Sequence, residues 1–142
     1  MKNMYKISLA YLVFGLTTGL FYHEAAYWTH FEGESVLSRV HPHALALGVA
    51  VFLLMPLLMQ VFQIHKQKSF RWFVGVYNLG LVMTLGFMTA RGATQLFQVA
   101  VPSFWDHMMG GLAGIGHVIF TVGIGFLFHA LMKSCDAKKD AQ

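Results

Sequence analysis

Charge is what this sequence has least of. Asp, Glu, Lys and Arg make up 11% of its 142 residues, while 56% are hydrophobic; a soluble domain carries about a quarter charged residues. So little polar covering excludes an ordinary soluble fold, whereas a bilayer can solvate an apolar exterior. Cysteine is nearly missing too. Cys135 stands alone, which excludes an intrachain disulfide and a thiolate metal cluster within one chain. No Asp or Glu falls within the long apolar runs, which argues against a carboxylate-based proton or sodium pump. There is no Ser–His–acid pattern, no phosphate-binding glycine loop after a strand and no CxxC pair, the usual sequence marks of common catalytic sites. The reading is therefore of a protein that is not an enzyme by itself.

What is present is four uncharged stretches. Residues 7–23, 40–65, 72–90 and 107–132 contain no Asp, Glu, Lys or Arg, and a membrane-crossing helix needs about 20 mostly apolar residues. This predicts an all-α fold, an integral membrane four-helix bundle with helices over 7–27, 36–64, 70–97 and 108–132. Residues 1–132 then form one domain and 133–142 a polar, disordered cytoplasmic tail. The first run follows Lys2 and Lys6 as in a signal peptide. A cut after Ala25 or Ala26 would place His23 or Glu24 where a small residue is required, so it reads as an uncleaved span.

The basic residues sort by side. With the N-terminus inside, Lys2, Lys6, Lys66, Lys68, Arg71, Lys133, Lys138 and Lys139 are cytoplasmic, and only Arg39 and Arg91 fall in the outer half. This satisfies the positive-inside rule and places both termini in the cytoplasm. It also accounts for the formal charge of +4 without nucleic acid. The expected surroundings are the lipid bilayer of the cell membrane. Tyr22, Tyr27 and Trp28 suit the headgroup level.

Local signals refine the helices. Ser35 is a good N-cap for the second. Pro42 cannot donate to the Ser38 carbonyl, which predicts a kink there. The short basic turn His65–Lys68 makes the third helix an antiparallel neighbour of the second. Gly15 and Gly19 form a small-xxx-small pair that admits a close neighbour. Glycine-rich faces of this kind could also dock a second copy or a respiratory-chain partner, as in a structural or assembly subunit of a larger complex.

Histidine is the residue type that could carry chemistry. His30 and His107 read as loop residues, His65 and His129 as inner-interface residues, and His23 sits at a helix end. His41, His43 and His117 fall inside spans, where ionisable groups are costly and face the bundle interior. On a helix His41 and His43 point about 200° apart, so one of them faces inward. Gly110 and Gly114 share the helix face of His117 and clear space for a flat cofactor or a neighbouring helix. His43 (or His41) and His117, at similar depth, could supply both axial ligands of haem b. Arg91, with Arg39 as a second, could grip the propionates; Arg39 and Arg91 could equally meet lipid phosphate, Glu24, Glu32 or Asp106. The rival reading is a Cu, Zn or Ni ion held by His23, His41, His43 and His117, for binding or transport.

Several segments together carry a family resemblance: Gly19–Glu24, His41–Gly48, Tyr77–Gly80, Ala90–Gly92 and Gly111–His117. In these the chain resembles an uncharacterised bacterial membrane family, domain of unknown function 2871, over nearly its whole length. That family's pattern has a small polar residue where this chain has Pro42. The H-x-H pair near one helix end, with a histidine on a later helix, is more loosely similar to the haem-ligating helices of haem–copper oxidase catalytic subunits. That likeness implies haem and, with it, electron transfer or sensing of a gas or of redox state.

Overall fold

The computed structural model describes residues 1–139 and is all-α. Four long helices follow one another: α1 over Lys2–Trp28, α2 over Val36–Phe62, α3 over Lys68–Leu96 and α4 over Ser103–Lys139. Each is long and apolar enough to cross a membrane. Two connections meet at one end of the bundle, between α1 and α2 and between α3 and α4; this is called here the loop end. Both ends of the described chain and the α2–α3 turn lie at the other, the terminal end. There Gln63 adopts a left-handed backbone (φ 53°) that stops α2, and Ile64–Lys66 makes a short 3-10 turn into α3.

Two boundaries differ from expectation. Residues 98–107 are not all connection: Trp105 and Asp106 donate their backbone N–H groups to the Pro102 carbonyl, and α4 begins at Ser103. His107 is thus helical, and His117 lies 14 residues into its helix, roughly 21 Å along the axis. At the far end α4 continues through the polar segment to Lys139, where a disordered tail was expected. Residues 140–142 of the expected tail lie outside the described residues.

The helices pack in chain order. Gly15 and Gly19 seat α2 against α1, as their spacing predicted: a Cβ on Gly15 would lie 3.1 Å from Ala44 Cβ, and one on Gly19 3.3 Å from His41 Cβ. α3 and α4 also approach closely, where Gly80 and Gly116 face each other. A Cβ on Gly80 would press on the backbone of Phe120 and Gly116, and one on Gly116 on Thr84 and the Gly80 carbonyl. Glycine at both positions lets two backbones touch, as in membrane helix pairs. The core between the helices is aromatic. Phe52, Phe73 and Tyr77 are fully enclosed and meet ring to ring at 5.3–6.1 Å, the distances at which aromatic pairs attract.

The outside is as apolar as the inside. Leu9, Val13, Leu16, Leu53, Leu57, Val82, Val118 and Val122 are all more than half exposed, and no span has more than 39% of its most apolar window buried. Exposed aromatics gather at the bundle's ends, with Tyr27, Trp28, Phe104 and Trp105 at the loop end and Tyr5 and Trp72 at the terminal end. An exposed apolar band between two aromatic rims is the surface lipid would select.

Candidate functional site

The site grows out of an irregular stretch of α2. Ser35 caps it as predicted, its hydroxyl accepting from the Leu37 N–H at 3.1 Å and donating to the Gly92 carbonyl of α3 at 2.7 Å. A 3-10 turn, Val36–Arg39, is followed by one α-turn, Val40–His43, and then by seven π-helical residues, Ala44–Ala50, before α-helix resumes at Val51. Pro42, which has no N–H to give, lies in the single α-turn between the two irregular segments. Departure from α geometry on both sides replaces the simple kink expected at Pro42. π-turns are frequent at functional sites.

This segment separates the two histidines. His41 packs on α1, its ring against Gly19, and its Nδ1 is buried with no hydrogen-bond partner among the described residues. His43 points the other way, to α4. Its ring centre lies 6.2 Å from that of His117, the two planes at 80°. Each ring is held the same way: His43 Nδ1–H donates to the Arg39 carbonyl at 2.7 Å and His117 Nδ1–H to the Ala113 carbonyl at 2.9 Å. Both rings are half-buried. A carbonyl only accepts, so Nδ1 carries a proton in both rings, and in a neutral imidazole so held the lone pair is on Nε2.

Thr84 and Phe120 complete the surroundings of His117. Thr84 is fully buried on α3 and its hydroxyl donates to the same Ala113 carbonyl at 3.3 Å. Phe120 lies 5.1 Å from the imidazole, ring to ring, and 5.8 Å from Tyr77. Of the two glycines on the face of His117, Gly114 opens onto free space while Gly110 is covered by Arg91, whose Nη1 would lie 3.3 Å from a Cβ there.

Arg91 already grips a carboxylate of this chain. Its Nε and Nη2 donate to the two oxygens of Asp106, each at 2.8 Å, a bidentate pair about one-third exposed on each side. The partner of Arg91 is therefore Asp106, one of the acids its position allowed, and the two Nη1–H groups and the second Nη2–H remain for another anion. Arg39 is exposed and has no ion pair among the described residues. Both arginines line a cavity of about 520 Å³ at the loop end with Tyr22, Glu34, Ser38 and Gln95. Its floor is fixed, because the Val36 N–H donates to Gln95 Oε1 at 2.9 Å.

The remaining histidines do not join the pair. His23 is largely exposed beside Glu24, its Nδ1 3.2 Å from the carboxylate. His30 takes the left-handed turn after α1. Among the described residues no three His, Cys, Asp or Glu side chains converge as metal ligands, so His23, His41, His43 and His117 are not one cluster. Thr84 and Phe120 were not visible as site residues in the sequence. Phe120 follows His117 by three residues on one helix, a spacing that could have signalled it, whereas Thr84 is brought to the histidine only by the pairing of α3 with α4.

Comparison with known proteins gives a family and no activity. A family model described as "protein of unknown function (DUF2871)" matches residues 1–134, and the chain belongs to that family. No curated protein and no solved structure matches it.

Proposed function

We propose that this protein is an integral membrane protein of the cell membrane that holds haem b between His43 and His117, for electron transfer or for sensing a gas or redox change. The observation that carries this reading is the histidine pair. Two imidazoles bound on opposite sides of one metal, at about 2 Å per nitrogen, have ring centres roughly 6 Å apart, and these stand at 6.2 Å. Both Nδ1 protons are committed to backbone carbonyls, the outer partner that metal-ligating histidines commonly have. The open Gly114 face leaves room beside one of them.

The propionates would lie toward the loop-end cavity. Arg39 is one helical turn from His43 in that direction and unpaired, so it is the first candidate to meet a carboxylate. Arg91 is two turns from Thr84, about 10 Å along the helix, and would offer only the N–H groups that Asp106 leaves free. The positive-inside count supports cytoplasmic termini, an orientation in which the cavity would face the outer side.

The test is the absorption spectrum of protein purified in mild detergent from the membrane fraction of haem-replete cells. A Soret band that shifts on dithionite reduction is expected, lost or altered in His43→Ala and in His117→Ala but kept in His41→Ala. Colourless protein that stays colourless after haem addition overturns the reading, and stoichiometric copper, zinc or nickel in that sample would put a metal ion in its place.

A further inference from the structure

The π segment of α2 is not held by its own backbone alone. Ser8 of α1 donates its hydroxyl to the Val49 carbonyl at 3.0 Å, and Tyr77 of α3 donates its hydroxyl to the Leu47 carbonyl at 2.9 Å. Both acceptors lie within Ala44–Ala50. Tyr11 of α1 presses its ring on Gly48 so closely that any side chain there would collide with it, while its hydroxyl is anchored on Asn78 Oδ1 at 2.9 Å. Two neighbouring helices thus grasp the same seven residues, one on each side. Ser8 is 4% exposed and Tyr77 fully buried, so neither hydroxyl has water as an alternative partner. In a low-dielectric interior such bonds are strong and their loss is costly.

We propose that Ser8 and Tyr77 are positioning residues that hold α2 in its π register and thereby aim His43 at His117. A π turn spends one extra residue per turn. Relative to Val51–Phe62, which packs Phe52 against Tyr11, Phe73 and Tyr77, everything before the π segment is rotated by one residue's worth of helix. Relaxation to α would swing His43 by about 100°, off the face that meets His117. Its role as a ligand rests on the haem reading above; its aim does not.

Two measurements separate these. The first is cross-linking of His43→Cys with His117→Cys by a short bis-thiol reagent, in a Cys135→Ser background. Arg91→Cys with Asp106→Cys serves as a control pair that does not involve α2. Adding Ser8→Ala and Tyr77→Phe together is expected to lower the yield of the first pair on the order of tenfold, the effect of two lost buried hydrogen bonds, and to spare the control. Ser8→Ala alone should give a smaller loss, and Ser8→Thr, which keeps the hydroxyl, should restore the yield. An undiminished yield overturns the proposal. Equal loss in both pairs overturns it as well, because the two residues would then be general stabilisers. The second measurement is the Soret band of Ser8→Ala/Tyr77→Phe protein with both histidines intact, expected to show loss of one axial ligand. If wild-type protein binds no haem while cross-linking behaves as expected, the haem reading falls and the positioning role stands.

Discussion

Gly80→Ala tests whether direct backbone contact holds α3 to α4. The new Cβ would lie 2.6 Å from the Gly116 carbonyl oxygen and 2.9 Å from Phe120 Cα, where ordinary contact begins at 3.4 Å. Both neighbours are backbone and cannot turn aside as the end of a side chain could. The two helices must therefore separate by about 0.5–1 Å, a gap that already forfeits a quarter to a half of each dispersion contact. The contacts at risk include those of Thr84, Tyr77 and Phe120, which share this interface. Overpacking of this kind costs about 1–3 kcal/mol. Gly86 lies on the same helix with nothing within 4 Å of the same position. Gly86→Ala should be neutral or gain up to about 1 kcal/mol, the helix preference of Ala over Gly. The chemical change is identical, so the difference between the variants, about 1–4 kcal/mol, reports the contact. Unfolding in detergent, followed by circular dichroism, measures both. Equal stabilities for Gly80→Ala and Gly86→Ala would refute the reasoning.

Three further outcomes are expected. In a double-mutant cycle of Arg91→Leu and Asp106→Asn, the singles should cost more together than the double variant does, a favourable coupling read in unfolding measurements, because the bridge is bidentate. His41→Ala should change stability by less than about 1 kcal/mol, since the lost packing on Gly19 is offset by removing an unpartnered buried nitrogen, whereas His41→Leu, apolar and similar in bulk, should stabilise in the same assay. Cys135 should resist a membrane-impermeant thiol reagent in intact cells and react after lysis; labelling of intact cells would reverse the orientation.

The sequence by itself determined the number of helices, their apolar exterior and much of their pairing. Those follow from where charges are absent, and an uncharged run of this length has few other ways to satisfy its backbone. Ser35 as a cap and Gly15–Gly19 as a seat were legible for the same reason: each depends on residues a few positions apart on one helix. The site was legible only in outline. His43 and His117 stood out as costly residues in apolar runs, but the choice between His41 and His43 needed the rotation of α2, and that is set from outside α2. Ser8 reaches it from 41 residues away and Tyr77 from 30, distances over which no local pattern speaks. The bidentate hold of Asp106 on Arg91 is similar in kind. It depends on α4 beginning at Ser103, which apolar periodicity did not show because the first turn carries Trp105, Asp106 and His107 rather than a continuous apolar run. Tertiary packing decided each of these, because a helix chooses its face, its register and its ion partners by what the neighbouring helices present to it.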